Sequence, residues 1–88
     1  MATQVLSGAA LIERYVEFDP ARPTPAEARL KESGVHVWAL IGHYQATGRD
    51  ADYVTQSYDV PPDAVNAALA YYGQHQGAIE ARLAANAA

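Results

Sequence analysis

The chain has 88 residues, half of them apolar, so it has room for one small domain with a thin hydrophobic core. It contains no cysteine, which excludes disulfides and thiolate metal sites. Its formal net charge of −4 is opposite in sign to the basic surface of most nucleic-acid-binding modules. The sequence shows neither a signal peptide nor an apolar stretch of membrane-spanning length, and it therefore predicts a cytoplasmic protein without a membrane partner.

The N-terminal third predicts short strands and loops. Residues 1–10 are small and polar without periodicity, so we expect a flexible N-terminus followed by a single domain over residues 11–88. Alternating β-formers at residues 15–18 predict a short strand, and residues 34–37 predict a second strand that pairs with it. The prolines between them predict a loop with one helical turn near Pro25. A β-ribbon of this kind beside helices is typical of a wing.

Three helices with two sharp breaks are predicted over residues 37–72. The first covers residues 37–47, has apolar residues at i, i+3, i+4 and i+7, and ends at Gly48. The second begins at its N-cap Asp50 and ends at the DVPP run of residues 59–62. The third begins near Pro62. This order predicts a trihelical helix-turn-helix core. The residues expected to be buried together are Leu40, Ile41, Val54, Tyr58, Val65 and Leu69.

The third helix is predicted to continue towards the C-terminus. Its apolar stripe runs on in alternating steps of four and three, through Val65, Leu69, Tyr72, Gln76, Ile79 and Leu83. Gly73 and Gly77 each weaken a helix by about 1 kcal/mol relative to alanine, so a bend near Gly73 is expected. Because Ile79 and Leu83 would lie beyond the reach of the core, we expect them to form a homodimer seam.

The predicted fold class is therefore mainly α. It consists of a trihelical, winged-helix-like helix-turn-helix core with a short N-terminal β-ribbon and an extended C-terminal helix.

No residue pattern predicts catalysis. His36, His43 and His75 lack the i+3 or i+4 helical spacing of a metal-binding pair, and no carboxylate completes a ligand set. The serines lack a nucleophile motif, and the glycines lack the spacing of a phosphate loop. We therefore predict a non-enzymatic protein without catalytic residues, metal or cofactor.

Candidate binding residues fall into two groups. In a helix-turn-helix, the first residues of the second helix of the pair meet base edges, and basic side chains hold phosphates. The predicted DNA-contacting residues are Arg14, Arg22, Arg29, Lys31, Arg49 and Asn66. Aromatic residues beside or off the apolar stripes, together with the spare C-terminal stripe, predict a dimer or partner interface. The predicted interface residues are Trp38, Tyr53, Tyr71, Gln76, Ile79 and Leu83.

Residues 14–83 resemble the domain-of-unknown-function 433 family. The resemblance is carried by RYVEFDP, GVHVWALIGHYQATG, RDADYVTQSYDVPPDAVNAALAYY and the trailing QHQGAIEARL. Two departures concern the DNA-contacting residues. The family's G-T-R-I-P-V turn is replaced by ESGVHV at residues 32–37, and Asn66 stands where relatives often have an arginine.

The resemblance implies a small prokaryotic helix-turn-helix protein, an antitoxin encoded beside a PIN-like ribonuclease toxin. On this basis we expect a homodimeric, non-enzymatic regulator that binds the toxin, with DNA binding as a secondary activity. In this mechanism the C-terminal helix and tail would cover the toxin. Residues 32–88 carry two basic and six acidic side chains, and their charge would suit a basic nuclease surface. The alternative is a protein-interaction adaptor without a toxin or DNA target, and an enzyme is a distant third.

Overall fold

The computed structural model of the chain describes residues 7–87. Within this range the fold is mainly helical with a small antiparallel sheet, which confirms the predicted fold class at that level. The helices are α1 (Gly8–Tyr15), α2 (Val37–Ala46), α3 (Ala51–Tyr58), α4 (Pro62–Gln74) and α5 (Gln76–Ala87). The strands are β1 (Val16–Glu17) and β2 (Arg29–Leu30), and a 3-10 turn covers Pro25–Glu27. No helix within residues 7–87 is long and apolar enough to cross a membrane.

Helix α1 replaces the predicted flexible segment at residues 8–10 and ends at Tyr15, and the first predicted strand is confirmed as β1 at Val16–Glu17. Ser7 is its N-cap, and the Ser7 hydroxyl accepts a hydrogen bond from Ala10 N–H at 3.2 Å. The helix packs against α4, and Gly8 allows a close approach, since a Cβ there would lie 3.3 Å from the Ala70 Cβ. The flexible N-terminus was therefore a wrong prediction for residues 8–10, while residues 1–6 lie outside the described range.

The sheet pairs β1 with β2, with Val16 opposite Leu30. The predicted second strand at residues 34–37 was wrong, because the chain reverses at Gly34, whose φ is 73°. Leu30 N–H donates to Val35 O at 2.8 Å, so the returning segment lies beside β2 rather than beside β1. The helical turn predicted near Pro25 is confirmed as the 3-10 turn.

Helices α2 and α3 begin and end close to their predicted limits, α4 begins at Pro62 as predicted, and each of the three packs against the other two. Gly48 follows α2 with a φ of 77°, as its helix-ending role requires. Asp50 caps α3 by accepting a hydrogen bond from Tyr53 N–H at 3.1 Å. Asp59 ends α3 in the left-handed region, with a φ of 52°. Local signals in this stretch therefore agree with the fold.

The helix breaks at His75, two residues after the bend expected near Gly73, but α5 then folds back onto α2 and the 3-10 turn, so the predicted extension beyond the core is wrong. Ile79 thereby becomes fully buried, with no exposed surface. The predicted core is confirmed for Leu40, Ile41, Val54 and Val65, which are also fully buried, whereas Tyr58 and Leu69 are partly buried against it.

Candidate partner-binding surface

Helix α3 and the first turn of α4 present an acidic surface, formed by Asp50, Asp52, Asp59 and Asp63, all of them exposed. Asp50 and Asp52 lie at the start of α3, Asp59 is its C-cap, and Asp63 lies in the first turn of α4. The sequence contains no lysine or arginine between Arg49 and Arg82, although Arg49 directly precedes Asp50 and Asp59 also lines a groove with Arg14 and Lys31. We call these four residues, together with Tyr53, the acidic α3–α4 surface.

Tyr53 is an exposed aromatic residue within this surface, with half of its area accessible to solvent. Its ring stacks on the ring of His43 from α2, with 5.6 Å between the centroids and an interplanar angle of 25°. Tyr58 meets the same histidine edge-on at 5.5 Å. Tyr53 is therefore held in place by α2 before any partner binds, and a fixed aromatic side chain loses little conformational entropy on binding.

The predicted DNA-contacting residues do not form one surface. Arg29 is engaged with Glu17 at 2.8 Å and with Asp19 at 4.0 Å, so its charge is largely compensated. Arg22 lies 3.9 Å from Glu27. Arg49 precedes α3, at the opposite end of that helix from the start of α4. Asn66 is exposed on α4, where no predicted basic residue is its neighbour along the helix.

Asp19 lies beside Arg29 and connects the two-stranded sheet to His36. Ala21 N–H donates to the Asp19 carboxylate at 2.9 Å, and this hydrogen bond lowers the pKa of Asp19. His36, whose Nε2 lies 3.4 Å from the carboxylate, and the positive charge of Arg29 lower that pKa further. These hydrogen bonds and ion pairs link the sheet to the start of α2, so the fold itself accounts for the cluster.

Arg14 and Lys31 both line a groove between the end of α1, the turn that follows β2 and the start of α4. The groove has a volume of about 630 Å³. It is lined by Arg14, Tyr15, Leu30, Lys31, Glu32, Ser33, Asp59, Pro61 and Ala64. Its four charged side chains comprise two bases and two acids. We call it the α1–α4 groove, and its charge is balanced rather than basic.

Two predicted interface residues are corrected by their burial. Ile79 has no exposed surface and Tyr71 only 4%. Both belong to the core cluster, and α5, which carries Ile79, packs on α2 and the 3-10 turn. The Tyr71 hydroxyl donates to Pro25 O at 2.6 Å, and burial raises the pKa of this tyrosine. Both residues hold the monomer together, so neither is available to a partner in this arrangement.

The other four predicted interface residues remain at least partly accessible. Tyr53 and Gln76 are exposed, whereas Trp38 and Leu83 are partly buried against the core. A Cβ at Gly42 would lie only 2.8 Å from Leu83 Cδ2, which shows how closely α5 packs on α2. Among these four, Tyr53 is the residue best placed to meet another molecule.

The contact that holds α5 against the rest of the chain was not predicted from the sequence. Arg82 Nε donates to both carboxylate oxygens of Glu27, at 3.0 and 3.3 Å, and the guanidinium lies 4.1 Å from the Trp38 ring centroid. The Glu27 side chain is only 9% exposed. One signal was available: Arg82 is the sole basic residue after Arg49, and it lies between the apolar Ile79 and Leu83.

A second missed feature is an apolar groove of about 200 Å³ beside β1. Phe18 borders it and is 58% exposed. Within residues 7–87, no group of three or more histidine or acidic side chains is arranged to hold a metal ion.

Comparisons of the chain with protein-family models, with curated proteins and with solved structures found no match.

Proposed function

We propose that the chain is an antitoxin-like, non-enzymatic regulator that acts as a homodimer and neutralises a PIN-like ribonuclease. The acidic α3–α4 surface is the observation that supports this proposal most directly. It combines four exposed carboxylates with one fixed, exposed tyrosine.

The chemistry of the partner follows from the nucleic acid that it cuts. A ribonuclease binds the RNA backbone through basic side chains, since phosphate contacts dominate affinity for nucleic acids. A surface of carboxylates is complementary to such a site and speeds the encounter with it. Tyrosine is among the residues that most often anchor protein interfaces, so Tyr53 would supply the central contact within an acidic rim.

Charge reversal of this surface tests the proposal. The chain is co-expressed with the PIN-like ribonuclease that the proposal expects beside its gene, and rescue of growth is measured. The variant Asp52→Lys, Asp59→Lys is expected to bind on the order of tenfold more weakly or worse and to lose neutralisation, because two favourable charges become repulsive. Glu13→Lys is the control for a single charge reversal elsewhere, since Glu13 is also exposed but lies on α1. Full rescue by the double variant would contradict the proposal.

The alternative function would rest on the same surface. A protein-interaction adaptor would use the acidic α3–α4 surface for a basic partner that is not a nuclease. A gene neighbourhood without any ribonuclease would favour the adaptor over the antitoxin.

DNA binding is the secondary activity in this proposal, and the α1–α4 groove supports it. The groove places Arg14 and Lys31 beside the start of α4, the helix that would read bases if α3 and α4 act as a helix-turn-helix. Glu32 and Asp59 in the same groove offset this positive charge, so the affinity is expected to be weak.

Lys31→Ala is expected to weaken binding to every duplex about equally and to reduce the salt slope by about one, as the loss of a phosphate contact would. Binding is measured by fluorescence anisotropy over a range of salt concentrations. Arg29→Ala is the control, because Arg29 is already paired with Glu17. If the chain bound DNA tightly and without dependence on salt, and only Asn66→Ala abolished that binding, the assignment of Lys31 as a phosphate contact would be contradicted.

A further inference from the structure

A single residue that is not helical separates α4 from α5. His75 has φ −129° and ψ 36°, and its N–H still donates to Tyr71 O and Tyr72 O. Its carbonyl accepts from Ile79 N–H at 3.0 Å. The apolar stripe of the sequence also continues in register across this position, from Tyr72 to Ile79. One change of backbone conformation at His75 would therefore join the two helices.

Joining the helices would satisfy backbone groups that the break separates. The first N–H groups of any helix and its last carbonyls have no partner inside that helix. In a continuous helix, the N–H groups of residues 76–78 would meet the carbonyls of residues 72–74. Neither Gly73 nor Gly77 has an atom of another element within 4 Å of the place where a Cβ would stand. No packed side chain therefore blocks the straight form at these two positions.

The contacts that hold α5 lie mainly on α2 and the 3-10 turn. Arg82 bonds to Glu27 and covers Trp38, and Leu83 packs at Gly42. With α4, by contrast, α5 has a side-chain hydrogen bond at the surface, from the Tyr72 hydroxyl to Glu80 at 2.6 Å. The docking site of α5 is therefore formed by other parts of the chain, and the α5 of a second copy would fit it equally well.

We propose that the homodimer forms by exchange of α5 between two copies of this chain. In each copy α4 and α5 become one helix from Pro62 to Ala87, about 39 Å long. The α5 end of that helix docks on the partner's α2 and 3-10 turn. A second copy is the occupant because an opened monomer exposes Ile79, and a copy of this chain restores all of the contacts of α5. The inference specifies the homodimer of the proposed function and requires neither toxin nor DNA.

The hinge residue provides a matched pair of variants. His75→Ala and His75→Gly both remove the imidazole ring, but alanine favours the helical conformation and glycine does not. Because each dimer contains two hinges, we expect the alanine variant to dimerise on the order of tenfold more tightly than the glycine variant. Sedimentation equilibrium of the purified protein measures both dissociation constants. Equal constants, or monomers in every variant at the highest soluble concentration, would overturn the exchange.

Cross-linking distinguishes exchange from ordinary dimerisation. The chain has no cysteine, so the variant Glu27→Cys, Arg82→Cys carries two unique thiols at the α5 contact. In the exchanged dimer a short bismaleimide joins two chains and gives a covalent dimer on a denaturing gel. A sedimenting dimer that yields only cross-linked monomer would overturn the proposal. If this variant does not fold, the two His75 variants alone test the exchange of α5. A failure of toxin neutralisation affects neither measurement.

Discussion

Ile79→Ala is expected to lower the free energy of unfolding by about 2–5 kcal/mol. Ile79 has no exposed surface and packs in the shared core through the return of α5, so truncation removes buried methyl groups and leaves a cavity. Urea denaturation followed by circular dichroism at a fixed protein concentration measures the change. A fixed concentration is needed because a dimer makes apparent stability concentration-dependent.

Ile12→Ala is the matched control, since the chemical change is the same but Ile12 is only partly buried and borders the apolar groove beside β1. We expect a loss of about 1 kcal/mol there, because less apolar surface is re-exposed. A loss below about 1 kcal/mol for Ile79→Ala would contradict the docking of α5. That result would mean that Ile79 lies on the exposed apolar stripe predicted from the sequence.

Arg82→Ala is expected to lower the free energy of unfolding by about 3 kcal/mol, at the lower end of the range for a broken buried ion pair. The substitution leaves the Glu27 carboxylate, which is 9% exposed, without the donor that bonds to both of its oxygens. It also removes the cation–π contact with Trp38. The same denaturation experiment measures the effect.

Arg22→Ala provides the control for this pair. Arg22 approaches the same Glu27 oxygen at 3.9 Å, but its side chain is 70% exposed, so we expect a loss below about 1 kcal/mol. Replacing both partners, as in Glu27→Leu, Arg82→Met, is expected to recover most of the stability lost by Arg82→Ala, because no unpaired buried charge remains. Equal losses from the two arginine variants would show that Glu27 does not depend on Arg82.

The central helices could be predicted from the sequence because their limits are set locally. Gly48 ends α2 by adopting a positive φ, Asp50 caps α3 through its own side chain, and Pro62 suits the first turn of α4. Each of these signals acts within a few residues of the position that it determines. Packing among the three helices therefore agrees with local preference.

The return of α5 could not be predicted in this way. Gly73 and Gly77 indicate a weak point in the helix, but they do not say where the chain goes after it. The direction depends on Arg82 and Glu27, which are 55 residues apart in the sequence. The same limitation explains the error at residues 34–37, where the reversal at Gly34 placed the strand pairing at β2 instead.

Two features of the candidate surface were predicted from the sequence, the acidity of residues 32–88 and Tyr53 as a partner contact off the apolar stripe. The toxin contact itself was predicted on the C-terminal helix and tail, not on α3 and the start of α4. Which basic side chains are already paired could not be read from the sequence, since Arg29 meets Glu17 across two strands. The resemblance to the domain-of-unknown-function 433 family stays a prediction.

Titration calorimetry tests the central claim most directly. The purified chain is titrated into the PIN-like ribonuclease that the proposal expects to be encoded beside its gene, at low and at physiological salt. We expect direct binding that weakens as salt rises and that the Asp52→Lys, Asp59→Lys variant loses, while Glu13→Lys binds like the unmodified chain. No binding, or binding that the double charge reversal leaves unchanged, would contradict the assignment of the acidic α3–α4 surface as the toxin-binding face.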